Sequence, residues 1–240
     1  MFRFLRIAGL AAFSMFAFAG VASAQTLTVL PVTVHFGAGQ MANTVTVVNQ
    51  GDSDVSYQIR VFSWAQNDEE KLTPTNELVV SPPLGSIPAS ASQVIRLALR
   101  HAPAGGEATY RILIDQIPPP AEPNTVRIAL RLSLPVFAEP KTRVAPRVQW
   151  RVEKSGGQTY LVARNEGSSH EVARNISLTA ADGAKFAVDA NASPYILAGA
   201  TRRWLINVQG TQPAQGAEIH LTAAGDTGAI DQKIQVTTQN

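Results

Sequence analysis

The 240-residue sequence contains no cysteine. That excludes a disulfide framework, a thiol nucleophile, Cys-ligated zinc and an iron–sulfur cluster. Charge excess is also small: 20 Lys+Arg against 18 Asp+Glu give a formal net charge of +2, which argues against a strongly basic nucleic-acid binder. Local catalytic motifs are missing. There is no G-x-S-x-G elbow and no Walker phosphate loop. The four histidines, His35, His101, His170 and His220, form no H-x-H or H-x-x-x-H pair, so each reads as a surface or strand residue rather than a metal ligand. Gly37-Ala38-Gly39-Gln40-Met41-Ala42 matches G-x-G-x-x-A, but a strand follows it. A pyrophosphate site needs a helix N-terminus there, so the segment reads as a glycine-rich turn. Asp68-Glu69-Glu70-Lys71 reads as a solvated loop. No enzyme activity, metal or cofactor is expected.

Hydrophobic residues make up 45% of the chain, enough for a folded protein and too many for a disordered one. The first of them have a specific arrangement. Arg3 and Arg6 precede an uncharged apolar run from Ile7 to about Gly20, and Val21-Ala22-Ser23-Ala24 supplies an A-x-A cleavage pattern before Gln25. Residues 1–24 therefore read as a secretory signal peptide rather than a membrane anchor, the core being short for a span. This signal carries two arginines and no acid, so it accounts for the whole basic excess. No later stretch reaches transmembrane length, and no stable membrane insertion is expected. Export without disulfides fits a bacterial periplasm.

The rest alternates. Strand-like runs cover Thr26–Phe36, Thr44–Val48, Val55–Trp64, Gln93–Arg100, Thr109–Ile117 and Asn124–Phe137, then Val148–Val152, Tyr160–Asn165, Ala173–Thr179, Thr201–Gln209, Ala217–Ala223 and Lys233–Thr237. Turn residues separate them, and helical signals are scarce. This pattern predicts an all-β protein with two immunoglobulin-like β-sandwich domains in tandem, at residues 25–139 and 147–240, joined by a proline-containing linker at 140–146. Trp64, Trp150 and Trp204 fall in strand-like runs and read as core anchors. No internal sequence repeat is evident.

One run departs from an ordinary sandwich strand. In Asn124–Phe137, Val126, Ile128, Leu130, Leu132, Leu134 and Val136 share one face, while Arg127, Ala129, Arg131, Ser133 and Pro135 share the other. A strand over 126–136 would span roughly 35 Å, about twice the usual length. Pro135 cannot donate a ladder hydrogen bond, which suits an edge or strand end. An exposed apolar edge is normally an aggregation hazard, and a protein keeps one when pairing with another chain is its task.

These residues bring a resemblance into view. The early strand ending in His35-Phe36 belongs to it, as do Asn49-Gln50-Gly51, Gln58-Ile59-Arg60-Val61-Phe62-Ser63-Trp64 and Val80-Ser81-Pro82-Pro83. So do Ile95-Arg96-Leu97, Tyr110-Arg111-Ile112-Leu113-Ile114-Asp115-Gln116-Ile117-Pro118-Pro119, Ser133-Leu134-Pro135-Val136-Phe137 and Leu161–His170. Together they resemble a PapD-like periplasmic chaperone of pilus or fimbrial assembly, of the archaic chaperone–usher branch.

The resemblance implies a boomerang-like arrangement of the two domains and a non-enzymatic role. Fimbrial subunits and an outer-membrane usher are the implied partners, and a self-capping homodimer is an implied resting state. It assigns the donor strand to residues 124–137, with Val126, Ile128, Leu130, Leu132 and Leu134 filling the groove of an incomplete subunit. It also implies basic side chains that hold the subunit's C-terminal carboxylate between the domains. Members outside the archaic branch use an Arg on the first strand and a Lys on the donor strand; Thr33 and Pro135 stand there here. Arg111, in the Tyr-Arg motif, is the carried-over anchor, and Arg131 is a second candidate by position. Glu107 matches an acid linked to inter-domain contacts, although its usual basic partner position is Glu139 here. The competing reading is an immunoglobulin-like adhesin or structural pilus component, and a third is a two-sandwich enzyme or carbohydrate-binding protein.

Overall fold

The computed structural model describes residues 27–67, 69–120, 128–142, 145–189, 193–207 and 212–238. The signal-peptide reading of residues 1–24 therefore lies outside the described residues. The described chain is built from strands and turns alone.

Ten strands make the N-terminal unit: β1 (Leu27–Leu30), β2 (Val34–Phe36), β3 (Ala42–Asn49), β4 (Val55–Asn67), β5 (Glu69–Pro74), β6 (Leu78–Ser81), β7 (Leu84–Ile87), β8 (Ser92–Leu99), β9 (Ala108–Ile117) and β10 (Arg131–Ala138). One sheet has the order β1-β3-β8-β6; the facing sheet has the order β2-β10-β9-β4-β5, with β7 also paired to β4. Alternation decides what lies between them. Val45 and Val47 on β3, Ile95 and Leu97 on β8, and Ile112 and Ile114 on β9 all point into one core. Each such side chain contributes roughly 1.5–3 kcal/mol by leaving water, so a one-residue slip in any strand would forfeit several of these terms.

Where the expected Thr26–Phe36 strand was continuous, the structure divides it. β1 pairs with β3 in one sheet, and β2 pairs with β10 in the other. Pro31, lacking an N–H, sits in the bend where the chain changes sheets. Asp68-Glu69-Glu70-Lys71 also differs from the solvated-loop reading. Glu69, Glu70 and Lys71 belong to β5, which forms a hairpin with β4; Asp68 itself lies outside the described residues. Every residue of β5 is exposed, so no apolar alternation announces it. The glycine-rich segment is a turn as expected: the Gln40 amide donates to the Gly37 carbonyl, and Gly39 takes φ 79°.

Nine strands make the C-terminal unit: β11 (Val148–Ser155), β12 (Gln158–Asn165), β13 (Glu171–Val172), β14 (Arg174–Ala180), β15 (Lys185–Val188), β16 (Tyr195–Ile196), β17 (Thr201–Asn207), β18 (Glu218–Ala224) and β19 (Ala229–Thr238). Seven of them run in the closed order β11-β12-β17-β15-β14-β18-β19. This immunoglobulin-like sandwich closes because two short bridges join its sheets. Val152, Glu153 and Lys154 pair parallel with residues 236–238, and Ala187 and Val188 pair with Asn207 and Ile206. Leu161, Trp204, Ile219, Leu221 and Ile234 fill the interior, with Trp150 packed partly buried against it.

The two units share a device that periodicity did not disclose. The buried Asn49 side chain donates to the carbonyls of Ser53, Ile87 and Pro88 and accepts from the Gly51 amide. Asn165 repeats this, donating to Ser169 and Ile196 and accepting from Gly167 and Arg147. An N-x-G turn thus closes an equivalent strand end in each half.

Candidate functional site

Burial along β4 locates the junction between the units. Val55, Tyr57 and Ile59 are buried on one face, whereas farther along Trp64 and Gln66 are buried on the other. The register against β9 stays continuous through Ser63, so no bulge causes the change. The second face is simply covered from Trp64 onward, and the C-terminal unit covers it. Trp64 accordingly anchors this junction rather than the sandwich core: it clusters with Phe137, Leu197 and Ala200, and Tyr195 packs alongside. Gln66 clamps the segment across the junction. Its amide nitrogen donates to the Tyr195 carbonyl at 3.0 Å, and its oxygen accepts from the Leu197 amide at 3.0 Å.

Glu107 and His170 make a second clamp. Glu107 Oε2 accepts from the His170 amide at 2.9 Å and lies 2.7 Å from His170 Nδ1. Position 139 supplies no base, and His170 takes that part. His170 is thus a partly buried junction residue, its side chain 10% exposed, instead of the surface or strand residue expected. Its ring stacks on Phe137 with centroids 3.6 Å apart, and His35 flanks both rings, 5.5 Å from Phe137 and 6.0 Å from His170. Partial desolvation pushes down the pKa of His35, itself exposed on β2, and nearby His170 pushes the same way, against the acids Glu107, Asp226 and Glu139.

β10 leaves this junction and runs outward. Beside β9 it is paired over its whole length, but on its other edge β2 meets only Val136, Phe137 and Ala138. Among the described residues no strand covers Arg131–Pro135 on that side. The apolar row is graded: Val136 is 0% exposed and Leu134 3%, Leu132 and Leu130 are half-buried, and Ile128 is 82% exposed. Val126 lies outside the described residues. Among the described residues the regular strand begins at Arg131, and the expected start at Asn124 lies outside them. β9 ends at Ile117 and three prolines follow; a segment without N–H donors cannot extend the ladder. Leu130 keeps one backbone bond to β9, its carbonyl accepting from the Gln116 amide at 2.9 Å.

The two candidate anchor arginines are not brought together. Arg111 pairs in register with Pro135, and Arg131 with Asp115, four residues or roughly 13 Å along the strand. Arg131 is 61% exposed and pairs with Asp115, which also binds Arg60 at 2.8 Å. Arg111 instead lies in the junction, 12% exposed, with its guanidinium 3.8 Å from the Trp64 ring centroid. Burial pushes its pKa down, and Glu70 pulls it back up. It stays charged, as a guanidinium does in a protein. What the sequence missed is Arg202 on β17. It is 11% exposed and its Nη1 stands 3.8 Å from Glu70 Oε1, while Arg111 Nη2 stands 4.0 Å from Glu70 Oε2.

Two immunoglobulin-like units, clamped at a polar and aromatic junction from which a half-open apolar strand emerges, define a two-domain strand-presenting β protein. Comparison with known proteins narrows this class. Residues 26–143 match the family of pili and flagellar-assembly chaperones, PapD N-terminal domain. The chaperone protein FaeE of Escherichia coli is 30% identical over 115 residues, 47% of this chain and 43% of FaeE; the chain thus spans less than half the length of the curated relatives it matches. The fold resembles the chaperone–subunit complex CsuC–CsuE, from the archaic chaperone–usher Csu pili of Acinetobacter baumannii. There the TM-score is 0.64, with 23% identity, over 90% of this chain and 100% of that one. It also resembles the YadV chaperone, with TM-score 0.63 and 19% identity over 87% and 98% of the two chains. Residues 26–143 belong to the PapD N-terminal domain family of pili and flagellar-assembly chaperones, and the described fold as a whole resembles that of chaperone–usher pilus chaperones.

Proposed function

We propose that this protein is a periplasmic chaperone that binds fimbrial subunits by donor-strand complementation and delivers them to an outer-membrane usher. The carrying observation is the apolar row of β10, which passes from buried Val136 and Leu134 to exposed Ile128 beside an edge that β2 leaves unpaired. A subunit lacking one strand would take main-chain hydrogen bonds from that edge, and Ile128, Leu130, Leu132 and Leu134 would fill its groove. Val126 would extend the same row. Burying five such side chains contributes on the order of 8–15 kcal/mol gross, before ordering costs. No bond is made or broken, so the role needs neither nucleotide nor cofactor. Exchange for another subunit's donor segment would release the cargo.

Arg111 is the proposed anchor for the subunit's C-terminal carboxylate. It is charged, shielded from water and beside the base of β10, where a fork of N–H donors can hold a carboxylate bidentately. Arg131, exposed and engaged by Asp115, has no such setting. The structural relative from archaic Csu pili supports placement in the archaic branch, and the unpaired edge would let two free copies cap each other.

Co-expression with a pilus subunit tests the reading. Leu130→Glu together with Leu132→Glu is expected to abolish co-purification and lower the subunit's level. An unchanged complex would remove the donor-strand assignment. Arg111→Ala is expected to abolish capture while the chaperone remains folded.

A further inference from the structure

Arg111 and Arg202 approach one carboxylate from opposite sides of the junction, and neither is well satisfied by it. Their contacts to Glu70 are 4.0 and 3.8 Å, beyond hydrogen-bond reach. Arg202 Nε is buried with no hydrogen-bond partner among the described residues. Two enclosed positive charges thus share one negative charge at a distance. A native protein rarely keeps a buried guanidinium in that condition without a use for it. Of the three side chains Glu70 is the most open, at 30% exposure against 12% and 11%. It projects from β5, a hairpin strand with no buried residue, and stands opposite Gln66 in the register. It therefore covers the pair from the solvent side, on an element with little packing to hold it.

We propose that Arg111 and Arg202 form a two-sided carboxylate cradle, with Glu70 as its internal occupant, displaced when the terminal carboxylate of a bound polypeptide enters. This rests on the anchor role given to Arg111 above and adds two residues to it: Arg202, from the second domain, as the opposing half of the cradle, and Glu70 as the competitor. An entering carboxylate can accept short charge-assisted bonds from both guanidinium groups, which Glu70 at its observed distances does not. Because the cradle draws one Arg from each unit, a ligand carboxylate would also bind the two units to each other.

The test uses the mature chain and an alternating apolar hexapeptide as either the free C-terminal acid or the C-terminal amide, with binding followed by calorimetry. The wild type is expected to prefer the acid, and Arg111→Ala to erase that preference. Arg202→Gln is expected to weaken acid binding about fivefold or more, with Arg202→Lys recovering part of it. Glu70→Gln is expected to strengthen acid binding about fivefold and leave the amide unchanged. Thermal melting checks that each variant is folded. If the wild type does not distinguish acid from amide, or Arg111→Ala keeps the preference, the anchor reading falls and the cradle falls with it. If Arg111→Ala erases the preference but Arg202→Gln or Glu70→Gln behaves like the wild type, the anchor stands and the cradle is overturned.

Discussion

The ring of His170 lies on the ring of Phe137 with centroids 3.6 Å apart and planes 13° from parallel. Phe137 ends the proposed donor strand, and His170 belongs to the other unit, so this stack ties the base of β10 to the C-terminal unit. Phe137 is fully buried there. Phe137→Ala should lower unfolding free energy by about 3–5 kcal/mol. Urea titration followed by tryptophan fluorescence measures this directly, because Trp64 lies 6.0 Å from the same ring.

Glu107 holds His170 in that position through two contacts to one oxygen. Glu107→Gln removes the charge while keeping the shape. A loss of about 1–3 kcal/mol is expected. A double-mutant cycle with His170→Ala should return a coupling smaller than that loss, because the His170 amide still donates to position 107 and the cycle isolates the ring contact alone. Additive losses would show that the pair acts through unrelated contacts.

His35 makes the junction sensitive to acid. Its folded pKa lies below the ordinary value of 6.5, first through partial desolvation and then through His170. Above pH 6.5 both folded and unfolded forms are neutral and the contribution is complete. As pH falls below 6.5 the unfolded chain takes up a proton that the native site resists, so stability drops until the depressed folded pKa is passed. His35→Gln should flatten the stability profile on the acid side of pH 6.5. Denaturation midpoints measured between pH 7.5 and 5 check it.

The gradient along β10 predicts a separation of effects. Ile128 is exposed, so Ile128→Glu should change stability by no more than about 0.5 kcal/mol while weakening subunit capture. Leu134 is buried, and Leu134→Glu should prevent folding by placing an unpaired charge in the core. Thermal melting and co-purification, run on both variants, distinguish the two ends of the row.

Gly167 tests the shared turn. A Cβ there would stand 2.3 Å from the Ala145 carbonyl oxygen and 2.7 Å from Pro146 Cα, both backbone atoms with little freedom to yield. Gly167→Ala should destabilise the C-terminal unit by more than about 1 kcal/mol, seen as an earlier transition in chemical denaturation.

Much of the fold was legible because alternation is a local property. Val45, Val47, Ile95 and Leu97 announced their strands and their inward face without any partner being known. β5 was illegible for the same reason: with both faces in water, nothing in its pattern required a strand. The N-x-G repeat stayed hidden because its meaning lies in which carbonyls Asn49 and Asn165 reach, three of them more than thirty residues away. Arg111 could be singled out from its motif, whereas Arg202 carries no motif and acquires its place only when β17 meets the hairpin.

The sequence by itself determined an all-β chain, the two runs of strands and the apolar row ending at Val136, because each follows from period-two patterning and turn chemistry. Tertiary structure alone decided where that row leaves the core, which edge of β10 stays open, and which charges meet across the junction. Those depend on side chains distant in sequence coming to share one enclosed space. There burial turns His170 from an ordinary strand residue into a clamp, and sets two arginines against a single glutamate.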